Sequence, residues 1–496
     1  MLFFLCFLTK AEDDTYERVY VHTDRDCYIA GEVIRLKFHV VNGAFQPSQL
    51  SKVGYLELSD TEKPQMQLKI VLENGSGAGK MTIPENIPTG IYLLSGYTRY
   101  MRNEGDNVFF KKQIAIINVR QQVYNPNRYE LVESYEKLQP DDMEQPHPDE
   151  ASVLLISVDK NEYRTREKVV LTVGNIPPGT ANLVISVTGY DSLVRIQEVD
   201  KREWLKQVTT PAGYFSGQWM PEYEGHIITG NIVPKPPEQY LPSGSIAFVG
   251  KDIRYVNGQI DPQSGTANFY TAGIYGRRQL VTSVESRLAD SLPYRMDIRN
   301  PFCEFLPDSL PVLQIFPNEK KLMERYMGIQ MQEKTEEGAS VDPVQTFQYR
   351  SVNPVVNYDL DEYTRFGTLG ETILEYVTRL RVGRVNERRI ITVYLEEEQR
   401  FTQSNTLVLL DGVPIPERDH EDLLFKYNPA YIKNLNIYEG PFAIGNIVYS
   451  CIVSFITYRG DFPIFKLGDQ MRLFNYDCPQ LPDVFKSPDY STDTLG

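Results

Sequence analysis

The sequence predicts a mainly β, multi-domain protein: tandem antiparallel β-sandwiches followed by a small α+β unit. Three observations carry that prediction. Short apolar runs alternate with polar residues and are broken by Gly, Pro and Asn along most of the chain. One strand–turn–strand stretch occurs twice, at 19–38 and again at 154–173. Beyond residue 358 the texture changes to a short helical pattern set among strands. The length fits: 496 residues exceed one hydrophobic core and imply roughly three or four domains. With 41% hydrophobic and 24% charged residues the composition is ordinarily globular, and 32 tyrosines and 32 prolines favour short strands and turns over long helices.

The chain opens "MLFFLCFLTKA". Residues 1–8 are apolar, too few for a membrane span of about 20 residues. Thr9 and Ala11 before acidic residues resemble a small-residue cleavage site, so 1–11 reads as a truncated signal peptide that lacks its basic start. Cys6 follows Phe3-Phe4-Leu5, a poor setting for a lipid anchor, and no segment has the length and apolarity of a transmembrane helix.

The repeat organises the first half. In "VYVHTDRDCYIAGEVIRLKF" and "LLISVDKNEYRTREKVVLTV", Asp24 aligns with Asp159, Tyr28 with Tyr163 and Glu32 with Glu167, with apolar alternation on both sides. Physically this is a strand, an acid-led turn anchored by an aromatic ring, and a second strand. The runs "MQLKIVLEN", "GKMTIPEN", "PTGIYLLSGYTRYM" and "FFKKQIAIINV" complete a first sandwich over 16–120. An acidic, proline-rich linker spans 121–151, and a second sandwich occupies 152–222, with a short helix expected near 188–208. This part resembles the macroglobulin-type (macroglobulin/Ig-like) sandwich domains near the start of alpha-2-macroglobulin-like proteins. No cysteine sits in the Gly-Cys-x-Glu-Gln context of that family's thioester, so covalent trapping of proteases is not implied.

A third β unit is expected over 223–317, where "EGHIITGNIV", "GSIAFVG" and "GQIDPQSGTANFYTAGIYGRRQLV" resemble carboxypeptidase-regulatory-like sandwiches. A helical linker follows at 318–357, its helix in "NEKKLMERYMGIQMQEKTEEG". In 358–460, Thr368-Leu-Gly-Glu opens a helix whose apolar face is Ile373, Leu374, Tyr376, Val377 and Leu380. The run "LVLLDGVPI…YNPAYIKNLNIYEGPFAIGNIVYSCIVSFITYRG", with "EYVTRLRV" before it, resembles the plug domain of TonB-dependent outer-membrane receptors. Such a plug implies a surrounding barrel of about 22 strands, whereas 461–496 reads as a Pro-rich polar tail.

Chemistry is sparse. "NGSGAGK" at 74–80 has Met81 where a phosphate loop needs Ser or Thr, and it joins two strands. The five histidines (His22, His39, His147, His226, His420) are scattered, and none lies in a metal or hydrolase motif. The acidic stretch 141–150 lacks a calcium-loop spacing. "HED" at 420–422 reads as a helix cap, and Asp411-Gly412 as a turn. Trp204 and Trp219 read as core or rim residues. Cys27, Cys303, Cys451 and Cys478 are far apart, without CxxC spacing, and their disulfide state stays open.

No catalytic, cofactor-binding or metal-binding residue is therefore expected, and no cofactor. The net charge of −15 argues against nucleic acid as a partner. The resemblances imply an exported, envelope-associated, non-enzymatic accessory or scaffold subunit. Its partners would be an outer-membrane β-barrel and associated lipoproteins or subunits. The alternative is an exported module capturing peptide, protein or glycan ligands for TonB-dependent uptake.

Overall fold

The computed structural model describes residues 16–121, 123–132, 154–164, 167–176, 183–189, 193–196, 204–206, 208, 210, 212–237, 242–258, 260–285, 294–336, 353–385, 388–396, 398–402, 405–444, 447–462, 467 and 470–482. The protein is mainly β and multi-domain, and divides into two compact units. One comprises 1–221, 303–340 and 480–496; the other 222–302 and 341–479.

The first sandwich contains β1 (Arg18–Thr23), β2 (Cys27–Ile29), β3 (Val33–Val41), β4 (Val53–Ser59), β5 (Pro64–Val71), β6 (Ser76–Thr82), β7 (Gly90–Thr98) and β8 (Phe110–Ile117). One sheet has the order β1-β3-β6 and the other β2-β8-β7-β4-β5. Strict alternation builds the inner wall: along β3, Ile34, Leu36, Phe38 and Val40 are buried and the residues between them half-buried. The Phe38 ring lies on bare backbone, because a Cβ at Gly54 or Gly96 would stand 2.7 Å from the Phe38 or Val21 side chain respectively. One pairing departs from the antiparallel expectation, since β2 runs parallel to β8.

After β9 (Tyr129–Leu131), the second copy of the repeat forms β10 (Leu155–Val158) and β11 (Leu171–Gly174), an antiparallel pair. Its register matches the first copy: Val21 faces Phe38, and Ile156 faces Val173. Where a second sandwich is expected over 152–222, these two strands are the only ones among the described residues. Of the helix expected at 188–208, the described residues 204–206 and 208 are helical, whereas 188–189 and 193–196 are not.

In the other unit, β12 (His226–Val233), β13 (Ser243–Phe248), β14 (Tyr255–Gly258), β15 (Thr266–Thr271), β16 (Arg277–Glu285) and β17 (Arg295–Ile298) form two sheets around Ile228, Ile246, Phe248, Phe269, Leu280 and Met296. The chain then returns to the first unit as β18 (Leu313–Ile315), which pairs in parallel with β9, and as helix α1 (Glu319–Glu336). Residues 303–317 therefore do not belong with 223–302, contrary to the sequence expectation.

The second unit resumes with β19 (Val356–Asp359), helix α2 (Leu369–Tyr376), β20 (Leu380–Val385), β21 (Arg388–Leu395), β22 (Arg400–Phe401), β23 (Thr406–Leu410), β24 (Val413–Pro414), β25 (Ile432–Ile444), β26 (Ile447–Thr457) and β27 (Met471–Asp477). A five-stranded sheet, β19-β25-β26-β23-β24, lies beside the three strands β20-β21-β22. Helix α2 starts at a capping box: Thr368 takes the Glu371 amide, and the Glu371 side chain takes the Thr368 amide. Its expected apolar face is partly right. Ile373 and Val377 are buried, but Leu374 is 58% exposed and Leu380 lies in a strand.

The expected polar tail contains a strand. β27 pairs with β16 through seven residues, with Met471 and Tyr476 turned inward. Gln480 then joins the first unit, its amide donating to Lys69 O at 2.7 Å. Among the described residues no helix is long and apolar enough to cross a membrane, which says nothing of a β-barrel.

Candidate functional site: the cleft at the first repeat turn

The turn after β1 strands several backbone amides that neighbouring strands do not take up, and short acidic side chains collect them. Asp24 Oδ1 accepts from the Tyr28 hydroxyl at 2.7 Å and from the Arg35 amide at 2.9 Å. The Tyr28 oxygen accepts from the Arg25 amide at 3.1 Å. Glu32 Oε2 accepts from the Ile29 amide at 2.8 Å, and Arg25 Nη1 reaches Glu32 Oε1 at 3.2 Å. Burial, reinforced by the Asp24 charge, pushes the Tyr28 hydroxyl far above its ordinary pKa, so it remains a donor.

Helix α1 lies on this turn. Arg325 Nε donates to Glu32 Oε1 at 3.0 Å and Nη2 donates to Cys27 O at 2.9 Å, while Nη2 also meets Glu32 Oε2. Ile329 packs 3.5 Å from where a Cβ on Gly31 would stand, and Gly31 has φ of +96°. Farther along, Arg120 meets Glu85 and the Tyr326 hydroxyl. Between helix and turn is a cleft of about 220 Å³ lined by Asp24, Arg25, Glu32, Val33, Arg35, Arg325, Gly328 and Ile329. Its chemistry is that of a charged contact surface: guanidinium groups and carboxylates already pair across it.

The second turn repeats the construction. Asp159 Oδ1 accepts from the Tyr163 hydroxyl at 2.6 Å and from the Val170 amide at 2.9 Å. The Lys160 amide donates to Tyr163 at 3.1 Å, the Arg164 amide donates to Glu167 Oε2 at 2.7 Å, and Lys160 pairs with Glu167. Here the hydrogen bond from Tyr163 and then the Val170 amide hold the Asp159 carboxyl below its ordinary pKa.

The other sequence-derived candidates are placed as follows. "NGSGAGK" supplies an Asn74-Gly75 turn with positive φ at both residues, and 76–80 is the start of β6 rather than loop. Asp411 and Gly412 also share positive φ, the geometry of a tight hairpin turn between β23 and β24. A Cβ on Gly412 would come within 2.9 Å of Asp252 O, so glycine is required twice over. The Asp411 carboxylate does more than turn the chain. It accepts from the Thr457 amide at 2.8 Å, the Thr457 hydroxyl at 2.6 Å and the Phe462 amide at 2.9 Å, and burial raises its pKa.

His22 contacts Ser186 Oγ at 3.0 Å, and burial lowers the pKa of His39 to about 4. His420 opens a helical turn, His420–Phe425. It is buried between the Ile415 carbonyl at 3.1 Å and the Ile391 amide at 3.4 Å, with its pKa lowered to about 4 by burial. Trp204 donates to Val19 O at 2.7 Å, and Trp219 lies 3.6 Å from the Arg102 guanidinium. His147 and the acidic stretch 141–150 lie outside the described residues. Among the described residues Cys27, Cys303, Cys451 and Cys478 form no disulfide with one another, and burial raises the pKa of Cys451 to about 11. Among the described residues no group of three or more His, Cys, Asp and Glu side chains is placed to hold a metal ion.

Two buried networks were not visible in the sequence. Glu222 Oε1 meets His226 Nδ1 at 2.9 Å and the Ile227 amide at 2.7 Å, and His226 Nε2 meets the Tyr476 hydroxyl at 2.6 Å. Arg18 bonds Glu104 through both terminal nitrogens, at 2.9 and 3.0 Å, and also takes the Thr210 carbonyl. The spacing of Glu222 and His226 was a usable signal; Tyr476, 250 positions away, had none.

No family model matches the chain, and no curated protein matches it in sequence. Solved structures do. Alpha-2-macroglobulin from Salmonella, reacted with methylamine, is similar over 57% of this chain and 14% of its own length, at 10% identity and a TM-score of 0.18. Escherichia coli alpha-2-macroglobulin activated by porcine elastase is similar over 57% of this chain and 20% of its own, also at 10% identity and 0.18. The CARDB domain of a Pyrococcus furiosus protein in complex with di-metal ions is similar over 22% of this chain and 97% of its own, at 10% identity and 0.17. This chain thus spans about 14% of the Salmonella protein and 20% of the Escherichia coli one, and the likeness carries neither protein's activity to it.

Proposed function

We propose that this chain is a non-enzymatic accessory or scaffold subunit that docks on an outer-membrane β-barrel machine for transport, protein assembly or export. The macroglobulin-like repeats would serve as a stiff arm, and residues 358–460 as a plug-like docking module. The observation that carries this reading is the use made of the polar side chains. Asp24, Glu32, Asp411 and His420 each spend hydrogen bonds on backbone groups of their own chain, and the first three on its side chains as well, which fixes turns and shapes surfaces. A rigid frame of this kind supports recognition by surface complementarity.

Mild-detergent purification of the tagged native protein, followed by mass spectrometry, tests the proposal. A barrel protein should accompany it at fixed stoichiometry. Emergence alone and monomeric from both membrane and soluble fractions would overturn the scaffold reading. Saturable binding of a soluble peptide, protein or glycan by the chain alone would favour a capture module instead.

A further inference from the structure

The stretch 379–389, "RLRVGRVNERR", carries five arginines and one acid, Glu387. On a chain of net charge −15 it is a positive island, and it forms the hairpin of β20 and β21. Two of the five are answered within the unit: Arg379 by Glu396 and Glu439 at 2.5 and 2.7 Å, and Arg389 by Glu421 at 3.2 Å. Arg381, Arg384 and Arg388 are exposed. Arg381 lies 4.5 Å from the centre of the Phe401 ring, which leaves its charge in place. Arg384 has no ion pair or hydrogen bond from its side chain among the described residues, and it stands directly opposite Arg389. Like charges opposed across two strands destabilise the pair.

The same strand has a free edge. The order β20-β21-β22 puts β20 outermost. The Tyr394 amide donates to Arg379 O at 2.8 Å. Antiparallel alternation from that pair turns the backbone of Arg381 and Gly383 towards β21, and that of Val382 and Arg384 outward. Among the described residues nothing bonds to those outward groups. Such an edge is a template for a further strand.

We propose that the outer edge of β20 takes an extended acidic segment of a partner protein as an added strand. Its backbone would bond Val382 and Arg384, and its carboxylates would meet Arg381 and Arg384 on the two faces of the sheet. Charge selects this occupant. A second copy of the hairpin would set arginine against arginine, and a neutral strand would leave the guanidinium groups without the carboxylates they fit. A phosphate polymer or a charged bilayer meets the repelling field of the whole chain, whereas a short segment meets only the hairpin. The second unit does not hold such a segment itself: none of its undescribed stretches carries more than one acidic residue. The inference deepens the docking proposal and rests on it for the partner being a protein.

Calorimetric titration of the full-length protein with a synthetic peptide of repeating Glu-Glu-Thr tests the proposal, with repeating Gln-Gln-Thr as the neutral twin. The acidic peptide should bind at one site, more weakly as salt rises, and the twin should not bind. Arg381→Gln and Arg384→Gln should each weaken binding about fivefold. Val382→Pro should abolish it with unchanged circular dichroism, because the amide it removes points away from β21. Arg277→Gln, at an exposed position in β16, should bind like the parent. Amide exchange should slow at Val382 and Arg384 when the peptide is added. Absence of binding overturns the proposal, and so does binding that Arg384→Gln and Val382→Pro leave unchanged. Binding that appears only after the acids of 141–150 are neutralised overturns it in favour of the chain's own acidic stretch. Anionic-phospholipid vesicles or duplex DNA binding through Arg384 in place of the peptide overturn it in favour of phosphate. Co-purification reads the docking proposal and the titration reads the hairpin, so either can fail alone.

Discussion

At the first turn, residues 24–35, an aspartate, a tyrosine and a glutamate collect the amides of residues 25, 29 and 35; at the second, residues 159–170, their counterparts collect 160, 164 and 170 at nearly the same distances. The strands on either side pair in the same register. What differs is the surroundings. The first turn has α1 across it and a sandwich behind it, whereas the second stands open, with its wall side chains roughly half exposed. The local network is thus set by a short sequence and survives without cover. The energy drawn from it depends on burial, because an unmet hydrogen bond is costly only where water cannot replace it.

The largest expected contrast lies in the wall. Phe38→Ala removes a fully buried ring resting on Gly54 and should cost about 3–5 kcal/mol. Val173→Ala, at the matching half-buried position, should cost less than about 1 kcal/mol. Urea unfolding of the two variants measures both, and equal losses would show that the second wall is covered in the free protein.

The turns themselves come next. Asp24→Ala leaves the Arg35 amide without its acceptor and the Tyr28 hydroxyl with the Arg25 carbonyl at 2.9 Å, at a cost of about 2–3 kcal/mol. Asp159→Ala opens the same two bonds to solvent, so its unfolding curve should overlay the parent's. A smaller effect is expected at the helix. Arg325→Met should cost about 1–2 kcal/mol by removing the bonds to Glu32 and Cys27 O. It should also speed amide exchange in α1, whereas Glu167→Gln, which has no such helix contact among the described residues, should change exchange only within its own turn.

How much of this was legible in the sequence follows the same division between local and distant. The Asp–Tyr–Glu spacing, the helix start at Thr368-Leu-Gly-Glu and the Asp411-Gly412 turn are each written within about a dozen residues, and each forms as read. Arg325 reaching Glu32 across 293 positions is not written anywhere as a pattern. Nor is β27 completing the β16 sheet, because its "MRLFNYD" turns only Met471 and Tyr476 inward and resembles a polar tail. Leu374 shows the converse error: helical spacing marks a candidate face, but the neighbours decide how wide that face is. The sequence marks Asp411 as a turn residue alone, since the partners of its carboxylate, Thr457 and Phe462, lie in a distant strand and the loop after it.

Acid separates the two copies once more, by the smallest margin. His39 in β3 stands in register with Gly174 of β11, so only the first copy carries a titrating group there. Burial, and then the charges of Lys37 and His22, lower its pKa from 6.5 to about 4. Between those values the unfolded chain binds a proton that the folded one refuses, so the stability is complete above pH 6.5 and is lost as the pH falls towards 4. At full burial that shift corresponds to about 3 kcal/mol, but the half-buried ring keeps part of its hydration, and about 1 kcal/mol is expected. His39→Gln should match the parent at neutral pH and resist acid better, read as a shallower fall in urea midpoint between pH 7 and 4. Amide exchange should place the acid-induced loosening of the parent in 18–41 and not in 154–174. Loosening of both segments together would mean that the two copies unfold as one body, joined by packing rather than merely alike in sequence.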